Sequence, residues 1–119
     1  MMALRAVVFD LDGTLSTLEV DFSRLRSELG MGPGPLWESI LRLTGPQRDR
    51  AEQVLLEAEL AGARRSRIVA GASELLAELG RRGIPRGILT RNCRAAVEVT
   101  LARHRLEVDV AAGAVVLVE

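Results

Sequence analysis

The stretch that decides the fold is Val7-Val8-Phe9-Asp10-Leu11-Asp12-Gly13-Thr14-Leu15. Its apolar start has the β-branched content of a buried strand. Asp10 and Asp12 follow at the carboxyl end of that strand, where like charges so close together repel each other. A divalent cation with oxygen ligands commonly offsets such repulsion, and open α/β sheets bind their ligands at this edge. The stretch therefore predicts a phosphate and Mg²⁺ site, in which Gly13 turns the backbone and Thr14 adds a hydroxyl. A calcium-type loop or a simple turn after a strand is the alternative.

The composition is that of one soluble domain. The chain has 119 residues, of which 48% are hydrophobic and 27% charged, and its formal net charge is zero. Neither nucleic acid nor an acidic membrane surface is indicated as a partner. The single cysteine, Cys93, excludes an intrachain disulfide and fits a reducing compartment. With neither a membrane-spanning stretch nor a signal-peptide pattern, we expect a cytoplasmic protein.

Helical patterns fill the segment between the first strand, predicted over 4–12, and residue 67. Apolar residues recur at helical spacing from Val20 to Gly30, from Leu36 to Leu41 and again from Ala51 to Ala61. Three helices cannot all be crossover connections of one sheet. We therefore predict a Rossmann-like core over 1–16 and 68–119, with a small helical cap inserted over 17–67. Plain helical packing without a lid role is the alternative for the insert.

A second strand is predicted over 84–90, and a helix follows it. The strand ends in Thr90-Arg91-Asn92. Free backbone N–H groups and the dipole make the start of a helix a ready anion site, and Thr90 can hydrogen-bond a phosphate oxygen. Asn92 fits a substrate contact and a helix N-cap equally well.

Two segments resemble a known family. Asp10-Leu11-Asp12-Gly13-Thr14 resembles the first motif of the haloacid dehalogenase-like superfamily. Residues 71–92 are similar to the second-motif segment of its phosphoglycolate-phosphatase-like members. The resemblance implies an α/β fold with a Rossmann-like parallel sheet and a helical cap. It also implies an Mg²⁺-dependent phosphatase of small phosphorylated metabolites that works through an aspartyl-phosphate intermediate.

The same resemblance assigns roles to individual residues. Asp10 would be the nucleophile and an Mg²⁺ ligand. Asp12 would be the general acid and base, and its backbone carbonyl would bind the metal. Thr90 and the neighbouring Arg91 and Asn92 would hold the phosphate, together with Gly13 and Thr14 at the first motif.

The sequence departs from the family after the second motif. The chain has no Lys for the third motif, and beyond Thr90 its only acids are Glu98, Glu107, Asp109 and Glu119. It supplies about three strands where the family has about five. Activity is therefore expected to be impaired, and a catalytically incomplete remnant or interaction module, binding Mg²⁺ or phosphate weakly at most, is the alternative function.

The last residues leave several interpretations open. Val108 to Val118 could form one interrupted third strand. Val115 to Glu119 could instead be a displaced fourth strand ending in the missing acid, or a tail altered by a shift of reading frame. The incomplete sheet leaves an apolar edge on the first strand, so we expect self-association there or pairing with the C-terminal run.

Overall fold

The computed structural model describes residues 4–112, 117 and 118, with side chains described over 4–109. The elements in chain order are β1 (Val7–Phe9), α1 (Phe22–Glu28), α2 (Leu36–Leu41), α3 (Gly45–Arg65), α4 (Ala72–Arg81), β2 (Arg86–Leu89), α5 (Arg94–His104), β3 (Val110–Ala112) and β4 (Leu117–Val118). None of these helices combines the length and apolar character that crossing a membrane requires.

The sheet has the strand order β1-β2-β3-β4. β1, β2 and β3 run parallel, with Phe9 opposite Ile88 and Ile88 opposite Ala111. The predicted α/β fold with a Rossmann-like sheet of about three parallel strands is confirmed. This register brings the carboxyl ends of β1 and β2 to the same edge of the sheet.

The C-terminal run differs from the prediction. β3 and β4 are two strands paired antiparallel, with Ala112 opposite Leu117, so a single interrupted strand over 108–118 is wrong. An antiparallel partner needs only a short connection, whereas a parallel one needs a crossover of about a dozen residues or more. The run pairs with β3 rather than with β1, which within the described residues has β2 as its one neighbour. Glu119 lies outside the described residues.

The first residues of three helices show how local sequence sets their start. Cys93 is the N-cap of α5, so Asn92 precedes the cap and is not the cap itself. Gly71, with a φ of 87° that favours glycine, is the N-cap of α4. Gly45 and Pro46 form the first turn of α3, because proline suits that position.

Two separate apolar clusters hold the chain together. One lies between the sheet and its helices and comprises Leu11, Leu15, Ala72, Leu76, Ile88, Val97 and Leu106. The other joins α1, α2 and the first half of α3 and comprises Leu25, Leu36, Ile40, Ala51 and Leu55. Their separation fits a core with a helical insert, and the boundaries at residues 16 and 68 stay a prediction.

The end of α3 is fixed against α5. The hydroxyl of Ser66 donates to the carbonyl of Ala63 at 2.7 Å and lies 2.9 Å from Nε2 of His104. Arg103 Nε donates to the Ser66 carbonyl at 2.8 Å. These bonds position the inner face of α3 above the carboxyl edge of the sheet.

Candidate functional site

The two predicted motifs meet at the carboxyl ends of β1 and β2. Thr90, just after β2, donates its hydroxyl to Oδ2 of Asp12 across 3.5 Å, although the two residues are 78 positions apart in the chain. At this length the hydrogen bond is weak. The parallel register of the two strands is what brings the groups together.

The loop after β1 is folded tightly on one carbonyl. The backbone N–H groups of Thr14, Leu15 and Ser16 all donate to the Leu11 carbonyl, at 3.2, 2.9 and 3.2 Å. Gly13 has a φ of 82°, and its N–H donates to the Ser16 carbonyl at 2.7 Å. The backbone N–H groups of Gly13 and Thr14 are thus already engaged, and both residues lie outside the lining of the cavity described below.

The loop after β2 is held by its own side chains. The Thr90 hydroxyl accepts from the backbone N–H of Asn92 at 3.1 Å, and Oδ1 of Asn92 accepts from the N–H of Cys93 at 2.9 Å. Both Thr90 and Asn92 are buried. Such bonds over one or two residues fix the backbone between strand and helix, so the Thr90 hydroxyl is held in place beside Asp12.

Arg91 does not turn toward the two aspartates. Its guanidinium pairs with the Glu38 carboxylate of α2 at 3.2 Å, and the two side chains are 85% and 48% exposed. The predicted phosphate contact uses backbone N–H groups near Arg91, so it does not depend on this surface pair and stays a prediction. The ion pair of Arg91 and Glu38 links the edge of the sheet to the helical insert.

The Asp12 carboxyl has a pKa above its ordinary value. Burial raises its pKa, and the nearby Asp10 charge raises it further, while hydrogen bonds from Asn92 and Thr90 lower it. A raised pKa eases proton donation and uptake by a carboxyl in general acid–base chemistry. Asp10, in contrast, is exposed at the mouth of the site.

A cavity of about 440 Å³ lies over these residues. Its floor is the edge of the sheet, with Asp10, Asp12, Thr90 and Asn92. Its other wall comes from the helical segment and is mostly apolar, formed by Leu18, Phe22, Leu36, Trp37 and Leu55. A largely apolar cavity with a few converging polar groups is the usual form of a small-molecule site.

One wall residue was not anticipated from the sequence. Glu59 of α3 is only 8% exposed and lines the cavity. Burial raises its pKa to about 7, contacts with the backbone N–H and thiol of Cys93 lower it, and the charge of Asp12 raises it. The spacing of Ala51, Leu55 and Glu59 at four-residue intervals would have identified this one as inward-facing.

Cys93 is a poor nucleophile here. Burial raises the pKa of its thiol, with a further rise from the Glu59 charge, although backbone hydrogen bonds lower it. Because the thiolate is the reactive form, this environment disfavours Cys93 as a nucleophile.

Comparison with known proteins adds sequence and fold evidence. No protein-family model matches the chain. A haloacid dehalogenase-like hydrolase domain-containing protein of Arabidopsis thaliana is 30% identical over 92% of this chain and 50% of its own length. A hydrolase from Pseudomonas syringae superposes with a TM-score of 0.68 at 19% identity, covering 92% of this chain and 59% of that one. A predicted phosphoglycolate phosphatase from Haemophilus somnus gives a TM-score of 0.67 at 15% identity, over 97% and 64%.

The predicted resemblance to the haloacid dehalogenase-like superfamily is confirmed. The curated relative supports it by sequence and the solved structures support it by fold. The chain spans about half the length of the curated relative that it matches.

The superfamily implies Mg²⁺, and the donors at this site suit that ion. Over the described residues there is no group of three or more His, Cys, Asp or Glu side chains arranged to hold a metal. Asp10 and Asp12 remain, and Mg²⁺ is commonly held by one or two carboxylates while it keeps several waters. Burial is the main cause of the raised Asp12 pKa, and the Asp10 charge adds to it; a cation would offset this second contribution.

Proposed function

We propose that this chain is a phosphatase-like hydrolase of small phosphorylated metabolites, working through an aspartyl-phosphate on Asp10, with activity impaired by the missing third- and fourth-motif residues. The observation that carries the proposal is the meeting of Asp12 with Thr90 at 3.5 Å, beside Asp10 and under a cavity of about 440 Å³. Nucleophile, acid and phosphate ligand are three of the parts that phosphoryl transfer requires.

The geometry supports a distinct role for each carboxylate. Asp10, exposed at the mouth, would attack phosphorus and take over the phosphoryl group. Asp12, whose pKa is raised by burial, would protonate the departing oxygen. It would then accept a proton from the water that hydrolyses the aspartyl-phosphate.

Thr90 would bind a phosphoryl oxygen through its hydroxyl, which the Asn92 backbone N–H already orients. The Asp10 carboxylate and the Asp12 backbone carbonyl would hold Mg²⁺, which when bound neutralises charge on the phosphate. The apolar wall would keep bulk water from the leaving group, since excluding water strengthens electrostatic interactions inside a site.

The alternative is a catalytically incomplete remnant that binds phosphate or Mg²⁺ weakly. It is favoured by the absence of Lys from the sequence. In addition, the described residues supply only two acids at the expected metal position.

An Mg²⁺-dependent assay on 4-nitrophenyl phosphate separates the two functions. Asp10→Asn should abolish activity, because the amide cannot act as nucleophile. Asp49→Asn, at an exposed position of α3, is the matched control and should keep the wild-type rate. Equal background rates for wild type and Asp10→Asn would exclude the enzyme function for this chain and leave the binding module.

We also propose that the protein is cytoplasmic. A separate proposal is that it self-associates through the unpaired edge of β1. Val8 of this strand is 65% exposed, and the strand has one sheet neighbour among the described residues. Unpaired strands are templates for association. Light scattering should therefore detect a dimer or larger species, and a monomer in dilute solution would contradict the proposal.

A further inference from the structure

We infer that Glu59 selects the substrate, favouring phosphate monoesters whose leaving group carries an ammonium or hydroxyl over those that carry a carboxylate. The inference rests on the proposed function, because it places a leaving group between the aspartates and α3. It concerns a residue that contacts the substrate and takes no part in the chemical steps.

The position of Glu59 on α3 is the first ground. The buried residues of α3 are Ala51, Leu55, Glu59, Gly62 and Ala63, so Glu59 is the one acid on a face otherwise made of apolar and small residues. Glutamate is seldom this buried unless it is paired. None of the ion pairs formed among residues 4–109 includes Glu59.

Its surroundings are the second ground. The neighbouring donors are the backbone N–H and thiol of Cys93, and the N–H already donates to Asn92 at 2.9 Å. A carboxylate has about four acceptor sites, so Glu59 keeps acceptor capacity on the cavity side. A donor group on a bound ligand would satisfy it.

The other polar residues of that wall are engaged elsewhere. Glu38 pairs with Arg91 at 3.2 Å, and Nη2 of Arg26 donates to the Ser23 hydroxyl at 3.1 Å. A leaving group seated above Asp12 would therefore meet the Glu59 carboxyl and the apolar side chains. A substrate carboxylate there would meet like charge from the Glu59 carboxylate, which is unfavourable at close range.

Two phosphonates test the inference without any need for turnover. 2-Aminoethylphosphonate and phosphonoacetate place an ammonium and a carboxylate at the same number of bonds from phosphorus, and neither is a phosphate ester. Binding of each to the full chain would be measured by calorimetry at pH 8 with fixed Mg²⁺. Orthophosphate would be titrated in parallel as a probe of the phosphate site alone.

We expect wild type to bind the aminophosphonate about tenfold more tightly than phosphonoacetate. Glu59→Gln should lose most of this preference and should still bind orthophosphate. The control is Glu57→Gln, which changes an exposed acid of the same helix that accepts a hydrogen bond from Gln53 at 3.0 Å. It should keep the preference.

Three results would overturn the inference. If the two phosphonates bind equally, or if phosphonoacetate binds more tightly, then Arg26 rather than Glu59 determines which ligand this wall favours. If Glu59→Gln keeps the preference for the aminophosphonate, that preference comes from the two aspartates. If neither the phosphonates nor orthophosphate bind, the chain has no phosphate site and the proposed function itself fails. A phosphate site without selectivity, in contrast, overturns only the role of Glu59.

Discussion

Replacing Glu59 with Gln should stabilise the protein at alkaline pH and change its stability little in mild acid. Burial raises the pKa of this carboxyl from 4.5 to about 7. Near neutral pH the folded protein therefore holds a proton that the unfolded chain releases. Since the folded-state pKa is the higher one, the free energy of unfolding falls as pH rises from about 4.5 to 7 and then levels off. Gln cannot ionise, so the free energy of unfolding of Glu59→Gln does not fall in this way as pH rises.

The size of the effect follows from the pKa shift. If the whole pKa rise from 4.5 to about 7 acts on stability, it lowers the free energy of unfolding of the wild type at pH 8 by about 3 kcal/mol. Water that enters the cavity would solvate the carboxylate and reduce this figure, so we expect the variant to be more stable by about 2 kcal/mol at pH 8. At pH 5 both proteins carry a neutral side chain in the folded state, and the difference should be below about 1 kcal/mol.

Urea unfolding at pH 5 and pH 8 would measure the difference. Wild type, Glu59→Gln and Glu57→Gln would be compared, the last being the exposed control on the same helix. The control should track wild type at both pH values. An advantage of Glu59→Gln that is the same at pH 5 and pH 8, or one that is larger at pH 5, would refute the reasoning.

Four further substitutions test the packing around the site. Ile88→Ala, at a core position that is 1% exposed, should lower the free energy of unfolding by about 3 kcal/mol. Val8→Ala in the neighbouring strand, 65% exposed, should cost less than about 1 kcal/mol in the same urea titration. Gly62→Ala should lower the melting temperature despite the helix propensity of Ala, because its Cβ would lie 2.9 Å from a backbone carbonyl oxygen; an unchanged melting temperature would contradict this. Glu38→Ala should cost at most about 1 kcal/mol, since its pair with Arg91 is exposed, and a double-mutant cycle with Arg91→Ala would show a larger coupling if this is mistaken.

Much of the sheet could be predicted from local pattern. The apolar runs before Asp10 and before Thr90 are the strands β1 and β2, and their parallel pairing follows from the helix that precedes β2. β1 is shorter than the predicted strand, because it pairs with β2 over three residues only, from Val7 opposite Arg86 to Phe9 opposite Ile88. Pairing rather than hydropathy sets the limits of a strand.

The C-terminal hairpin could not be predicted in the same way. An apolar run carries no signal for the direction in which it pairs, and the family comparison favoured parallel strands. β4 instead lies antiparallel beside β3, on the far side of the sheet from β1. The family's pattern therefore describes this chain up to β3 and gives no guide to the strand that follows.

The position of Glu59 explains why the sequence motifs identify only the sheet side of the site. Asp10, Asp12 and Thr90 stand at strand ends, where a motif and its geometry coincide. Glu59 is instead placed by the packing of α3 against α5, which Ser66, His104 and Arg103 hold in place. A charged residue on a buried helical face lowers stability at neutral pH, as its raised pKa indicates. Such a cost is expected where a side chain serves a ligand rather than the fold. The same substitution, Glu59→Gln, thus measures both quantities: stability should rise at pH 8, and selectivity for an amino-bearing phosphonate should fall.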